Sequence, residues 1–136
     1  LIRKFHEASE QQGGSVTIWG TGAPKREFIF SRDLARACHA VLTTPEASLW
    51  EVAPEGMLNV GVGEDLTILE LAMLIRDVVG GDVELEFDTT KPDGTPRKLM
   101  DVDRMMQLGW KPETSLREGL KTTYEWYKTQ ESWLAG

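Results

Sequence analysis

Apolar residues recur along this chain in two rhythms, and the switches between them set the predicted elements. Leu1, Ile2, Phe5 and Ala8 fall on one helical face, with Gly13-Gly14 as a stop. "SVTIW" (15–19) reads as a strand, Gly20, Gly22 and Pro24 as a turn, and "REFIF" (26–30) as a second strand. From Ser31, in the N-cap position, "SRDLARACHAVLTT" predicts a helix. Leu34, Cys38, Val41 and Leu42 would form its core face, and Pro45 its end. Residues 45–56 read as a surface loop.

"MLNVGV" (57–62) predicts a short buried strand. "LTILELAMLIRDVVGG" is the clearest helix, with a capping box of Thr67 and Glu70 and a Gly80-Gly81 stop. "VELEFDTT" alternates, with Val83, Leu85 and Phe87 inward. "DVDRMMQLGW" predicts a short helix ended by Gly109. "SLREGLKTTYEWYKTQESWL" predicts the last helix, with Ser115 and Glu118 as a second capping box. The order of elements predicts a mixed α/β fold in a single domain over residues 1–136. A helical pattern that begins at residue 1, with no cap ahead of it, leads to the expectation that the chain is a fragment or a trimmed domain of a longer protein.

Charge narrows the partners. Fifteen Lys and Arg stand against 22 Asp and Glu, a net charge of -7. An acidic surface repels nucleic acid and anionic lipid, so neither is an expected partner. No apolar run approaches the roughly 20 residues of a membrane span, and none reads as a signal peptide. Cys38, the one cysteine, excludes an internal disulfide, and with the preceding points it makes the cytoplasm the expected location. No metal-ligand spacing occurs, so no metal is expected.

Three stretches could carry chemistry. "NVGVGEDLTI" has the glycines of a dinucleotide turn, but Leu66 stands where a third small residue is needed, and Glu64 and Asp65 would repel a pyrophosphate. It reads as a tight turn. "IWGTGAPKREF" sets Trp19, a Gly-rich turn and the Lys25-Arg26 pair close together. Arg suits a phosphate and an indole face suits a planar ring or a sugar, but a plain solvated turn fits the same residues. "KPDGTPRK" leaves two readings open as well. Asp93 either bonds its own loop, or, stiffened by flanking prolines, accepts from a polar ligand. His6, His39, Cys38, Met105-Met106 and the set Tyr124, Trp126, Tyr127 and Trp133 read as packing or surface residues.

"VTIWGTGAPKREF", "LNVGVGEDLTILELA", "FDTTKPDGTPRKLMDV", "LGWKP" and "SLREGLKTTYEWY" together resemble the C-terminal half of the GDP-L-fucose synthase family, extended short-chain dehydrogenase/reductases, over essentially the whole chain. "KPDGTPRKLMDV" followed by "LGWKP" is the most specific part. The resemblance implies a small mixed C-terminal substrate-binding domain without its Rossmann half. It implies an NADPH-dependent 3,5-epimerase/4-reductase acting on GDP-4-keto-6-deoxy-D-mannose. NADPH and the catalytic residues would belong to that other half, and the full-length protein would be a homodimer. By motif match, Lys4, Trp19, Arg26 and Asp93 would hold the GDP-sugar, with Asp93 at the nucleotide end. Tyr124 and Lys128 have the spacing of the family's catalytic Tyr and Lys, but they lie on the terminal helix, outside that motif. Two alternatives share this pattern: the substrate domain of another nucleotide-sugar epimerase or dehydratase, and a non-catalytic nucleotide-sugar-binding module.

Overall fold

The computed structural model describes residues 1–11 and 13–130. In chain order the elements are α1 (Ile2–Ser9), β1 (Ser15–Trp19), β2 (Lys25–Arg26), α2 (Ser31–Thr43), α3 (Glu46–Val52), β3 (Leu66–Thr67), α4 (Ile68–Val79), β4 (Glu84–Asp88), β5 (Arg97–Lys98), α5 (Asp103–Gln107) and α6 (Leu116–Thr129). The described residues divide into two compact units: those within 1–25, 66–97 and 117–130 form the first, and residues 26–65 and 98–116 the second.

The first unit is built on a parallel pair, β1 beside β4, in register from Ser15 opposite Glu84 to Trp19 opposite Asp88. Parallel strands need a crossover, and α4 lies within it. On β1 the alternation buries Val16 and Ile18, while Ser15, Thr17 and Trp19 face out. Phe5 and Ala8 of α1 pack into the same core as Leu71, Ala72 and Ile75 of α4. Phe5 is wholly buried, which contributes about 2–3 kcal/mol. The capping box of α4 is present: the Thr67 side chain accepts from the Glu70 N–H, and the Glu70 carboxylate accepts from the Thr67 N–H. Ile68 and Leu69, whose N–H groups have no helical partner, donate to the carbonyls of Pro24 and Gly22. Buried His6 meets Tyr124 of α6 through Nδ1 at 3.1 Å.

The alternation expected of 83–88 holds only in part. Val83 is buried and Leu85 half-buried, but Phe87 is 40% exposed. A two-stranded sheet has no third layer to cover its far end. Trp133 lies outside the described residues.

The second unit departs further from the periodic reading. Residues 27–30 and 57–62 are irregular rather than strands, and 46–52 is a helix rather than a loop. On α2 the buried positions are Asp33 and Ala37, with Ala40 and Val41 packed beside them. Cys38 is exposed, as are Leu34 and Leu42, the last at 85%. The helix is therefore turned by one position from the face that its larger apolar residues indicate. The cause is the core that it meets: Met105 and Trp110 pack onto Ala37, and only a small side chain lets them approach.

Asp33 fixes that orientation. The residue is 1% exposed, and its carboxylate accepts from the Thr114 N–H at 2.9 Å and from Arg36 Nη1 at 3.1 Å. Burial pushes its carboxyl upward, but the hydrogen bonds from Thr114 and Glu113 and the charge of Arg36 outweigh this and hold it below the ordinary value. A depressed folded value gives stability that is fully present above the unfolded value, about 4, and is lost as pH falls through the folded one. Asp33→Asn keeps the size but sets an amide against the Thr114 N–H, and should lower stability at neutral pH by about 2 kcal/mol. Denaturant unfolding over a pH series checks this. The gap between wild type and variant should close in acid, and a constant gap would contradict the assignment.

Candidate functional site

The C-terminal ends of β1 and β4 lie at the same edge, because the strands are parallel. Trp19 ends β1 and is 69% exposed. The N-terminal stretch meets it there. Leu1, Lys4, Thr17, Ile18, Trp19 and Ile68 line an open cleft of about 300 Å3. A flat aromatic face beside one ammonium suits a polar ligand that carries a ring or sugar and a negative charge.

Beyond Trp19 the chain makes a tight turn, with Gly20 at φ +77° and Gly22 at φ +74°. The Thr21 N–H donates to Asp93 Oδ1 at 2.6 Å, and the Thr21 hydroxyl donates to Oδ2 at 2.9 Å. Gly20 is required twice, for its φ and because a Cβ there would overlap the Asp93 carboxylate. The loop that carries Asp93 is also held at both ends. Asp88 Oδ1 accepts from the Thr90 N–H and hydroxyl, and the Lys25 N–H donates to the Pro96 carbonyl at 2.8 Å. Lys91 lies over the Trp19 ring, its Nζ 6.0 Å from the centroid.

Lys4 and Trp19 thus share one cleft, and Asp93 grips the turn that leaves Trp19. Both Asp93 oxygens take a Thr21 donor; a carboxylate offers about four acceptor sites, so further acceptance is open. Arg26 belongs to the second unit, half-exposed on β2. Thr21 and Lys91 were not singled out in the sequence. A threonine between two glycines has no pattern that reveals a partner 72 residues away.

The Gly61–Gly63 turn is not a dinucleotide cradle. The N–H groups of Val62 and Gly63, which a phosphate would need, donate to the Glu27 carboxylate at 2.5 and 2.6 Å. Leu66, in the position that needs a small residue, opens β3. The residues of this chain do not fit NADPH at that turn. Among the described residues, no three His, Cys, Asp or Glu side chains gather to hold a metal, and no helix is long and apolar enough to cross a membrane.

Residues 1–61 match the NAD dependent epimerase/dehydratase family. A putative GDP-L-fucose synthase 2 of Arabidopsis thaliana is 50% identical over 127 residues, which cover 93% of this chain and 37% of that protein. Over this stretch the chain is similar to part of a GDP-L-fucose synthase. The Escherichia coli GDP-L-fucose synthase is 48% identical, with 93% of this chain and 40% of that protein covered. The chain therefore spans about two fifths of the length of these relatives. Among solved structures, the GDP-mannoheptose C4 reductase of Campylobacter jejuni with NADP bound superposes with a TM-score of 0.78 at 36% identity, over 93% of this chain and 43% of that one. The fold is that of part of an extended short-chain dehydrogenase/reductase.

The Thr21–Asp93 staple is open to test by amide exchange. Asp93→Ala removes both acceptors, and exchange at the Thr21 amide should rise on the order of tenfold. Asp93→Asn, which keeps one acceptor, should fall between. Unchanged protection of Thr21 would show that the turn holds itself.

Proposed function

We propose that this chain is the GDP-sugar-binding part of a GDP-L-fucose synthase-type, NADPH-dependent 3,5-epimerase/4-reductase acting on GDP-4-keto-6-deoxy-D-mannose. The observation that carries the reading is the exposed Trp19 indole sharing a cleft with Lys4 at the edge of the β1–β4 pair. The near-50% identity to fucose synthases across this same stretch supports it. Trp19 offers a face to a ring or sugar, Lys4 offers charge, and Arg26 contributes a planar fork for the diphosphate. Asp93 shapes the turn between them in sequence, with acceptor capacity left for the nucleotide end. The chain works as one substrate-binding domain, and chemistry at the sugar carbons and NADPH belong to a Rossmann half.

That half needs a surface to rest on. Leu34, Cys38 and Leu42 form an exposed apolar stripe along α2, at i, i+4 and i+8. Isolated exposed apolar residues are ordinary, but a stripe on one helix suits a partner. In the intact protein Leu42→Asp should lower stability by about 1–3 kcal/mol, far more than the 0.5 kcal/mol of a solvated position. Thermal or denaturant unfolding reads this directly, and a neutral effect would leave the stripe without a partner.

A second reading, a reductase of a different GDP-sugar, is favoured by the likeness to the GDP-mannoheptose reductase. Turnover with a panel of GDP-4-keto sugars separates the two.

Arg26→Ala tests the diphosphate contact. Loss of a hydrogen bond to a charged group should raise KM roughly ten- to a hundredfold. Lys at this position should recover only part, because an ammonium lacks the fork. The contact is remote from the reacting carbons, so kcat should fall less than kcat/KM. An unchanged KM in steady-state kinetics removes Arg26 from the site.

A further inference from the structure

Glu27 follows Arg26 directly at the end of β2, and its half-buried carboxylate is the meeting point of three segments. Oε1 accepts from the Val62 N–H at 2.5 Å and the Gly63 N–H at 2.6 Å. Oε2 accepts from the Met100 N–H at 3.1 Å, a residue 73 positions away and two beyond Lys98 of β5. The carboxylate thus occupies the amides of a Gly-rich turn much as a phosphate would. Gly61 lines the same place: a Cβ there would overlap the Glu27 carboxylate. Its φ lies outside the left-handed region, so it is the space, and not the backbone, that requires glycine.

We infer that Glu27 is a positioning residue for nucleotide-diphosphate binding. It locks the backbone that presents Arg26, and that of Lys98–Met100, onto the 61–63 turn. The inference rests on the reading of Arg26 as the phosphate contact. A guanidinium binds both oxygens of a phosphate only when its backbone is fixed, and misplacement by about 1 Å is enough to weaken a productive contact severely. Glu27 touches no ligand itself. It has the three amide bonds, from distant segments, that such a fixed base needs.

The test uses the intact protein and GDP as the probe, titrated calorimetrically, with kcat measured at saturating substrate. Glu27→Gln keeps an acceptor for Val62 and Gly63 but turns an amide NH2 toward the Met100 N–H, and should weaken GDP on the order of tenfold with kcat nearly kept. Gly61→Ala displaces the same carboxylate without touching its chemistry, and should give the same shift; it also serves if Glu27→Gln does not fold. In an Arg26→Ala background neither change should weaken GDP further, since the residue they position is gone. Additive losses in that background, or GDP affinity unchanged by both variants while Arg26→Ala weakens it, overturn the proposal and leave the phosphate role of Arg26 intact. GDP affinity unchanged by Arg26→Ala removes that role, and the proposal falls with it.

Discussion

Turns leave backbone N–H groups that no helix or sheet ladder satisfies, and each needs water or a side chain as its acceptor. In this chain the turns that matter meet that constraint with carboxylates from far away in sequence. Asp93 takes Thr21, Glu27 takes Val62, Gly63 and Met100, and Asp33 takes Thr114. Each bond is charge-assisted and therefore stronger than a neutral one. Each also joins segments far apart in sequence: the 90–98 loop to the turn after β1, Met100 to the 61–63 turn through Glu27, and Thr114 to α2.

Glycine is the counterpart of these clamps. At Gly20 and Gly61 a Cβ would strike the very carboxylate that holds the turn. At Gly22 it would meet the ring edge of Phe87 at 2.9 Å. The glycines that look in sequence like phosphate-loop glycines are thus explained within the protein. At 61–63 a carboxylate of the chain sits where a ligand phosphate would be expected, which accounts for a Gly-rich turn that does not fit the cofactor.

The clamps also bear on the acidic charge. A chain with 22 acidic and 15 basic residues repels an anionic ligand at long range. Asp93, Glu27 and Asp33 point their carboxylates at backbone donors, which partly offset their negative charge. Lys4 in the cleft and Lys91 over Trp19 stand out locally against the acidic whole.

Local chemistry was legible wherever it acts over a few residues. The helix at 68–79 with its Thr67–Glu70 box, the strand at 15–19, the stop at Gly109 and the Gly20–Gly22 turn all follow from periodicity and turn residues. The resemblance over the whole chain was likewise available from residue order alone. Tertiary structure decided what depends on a distant partner. The buried face of α2 is set by Met105 and Trp110 selecting Ala37 over Leu34 and Cys38. Residues 57–62 lack a ladder partner, and an apolar run becomes a strand only when another strand supplies one. The occupant of the glycine turn at 61–63 is a glutamate 35 residues earlier, and the loop at 90–98 holds a threonine 72 residues earlier. Periodicity reports how a segment meets water; it carries no information on which distant side chain completes its hydrogen bonds.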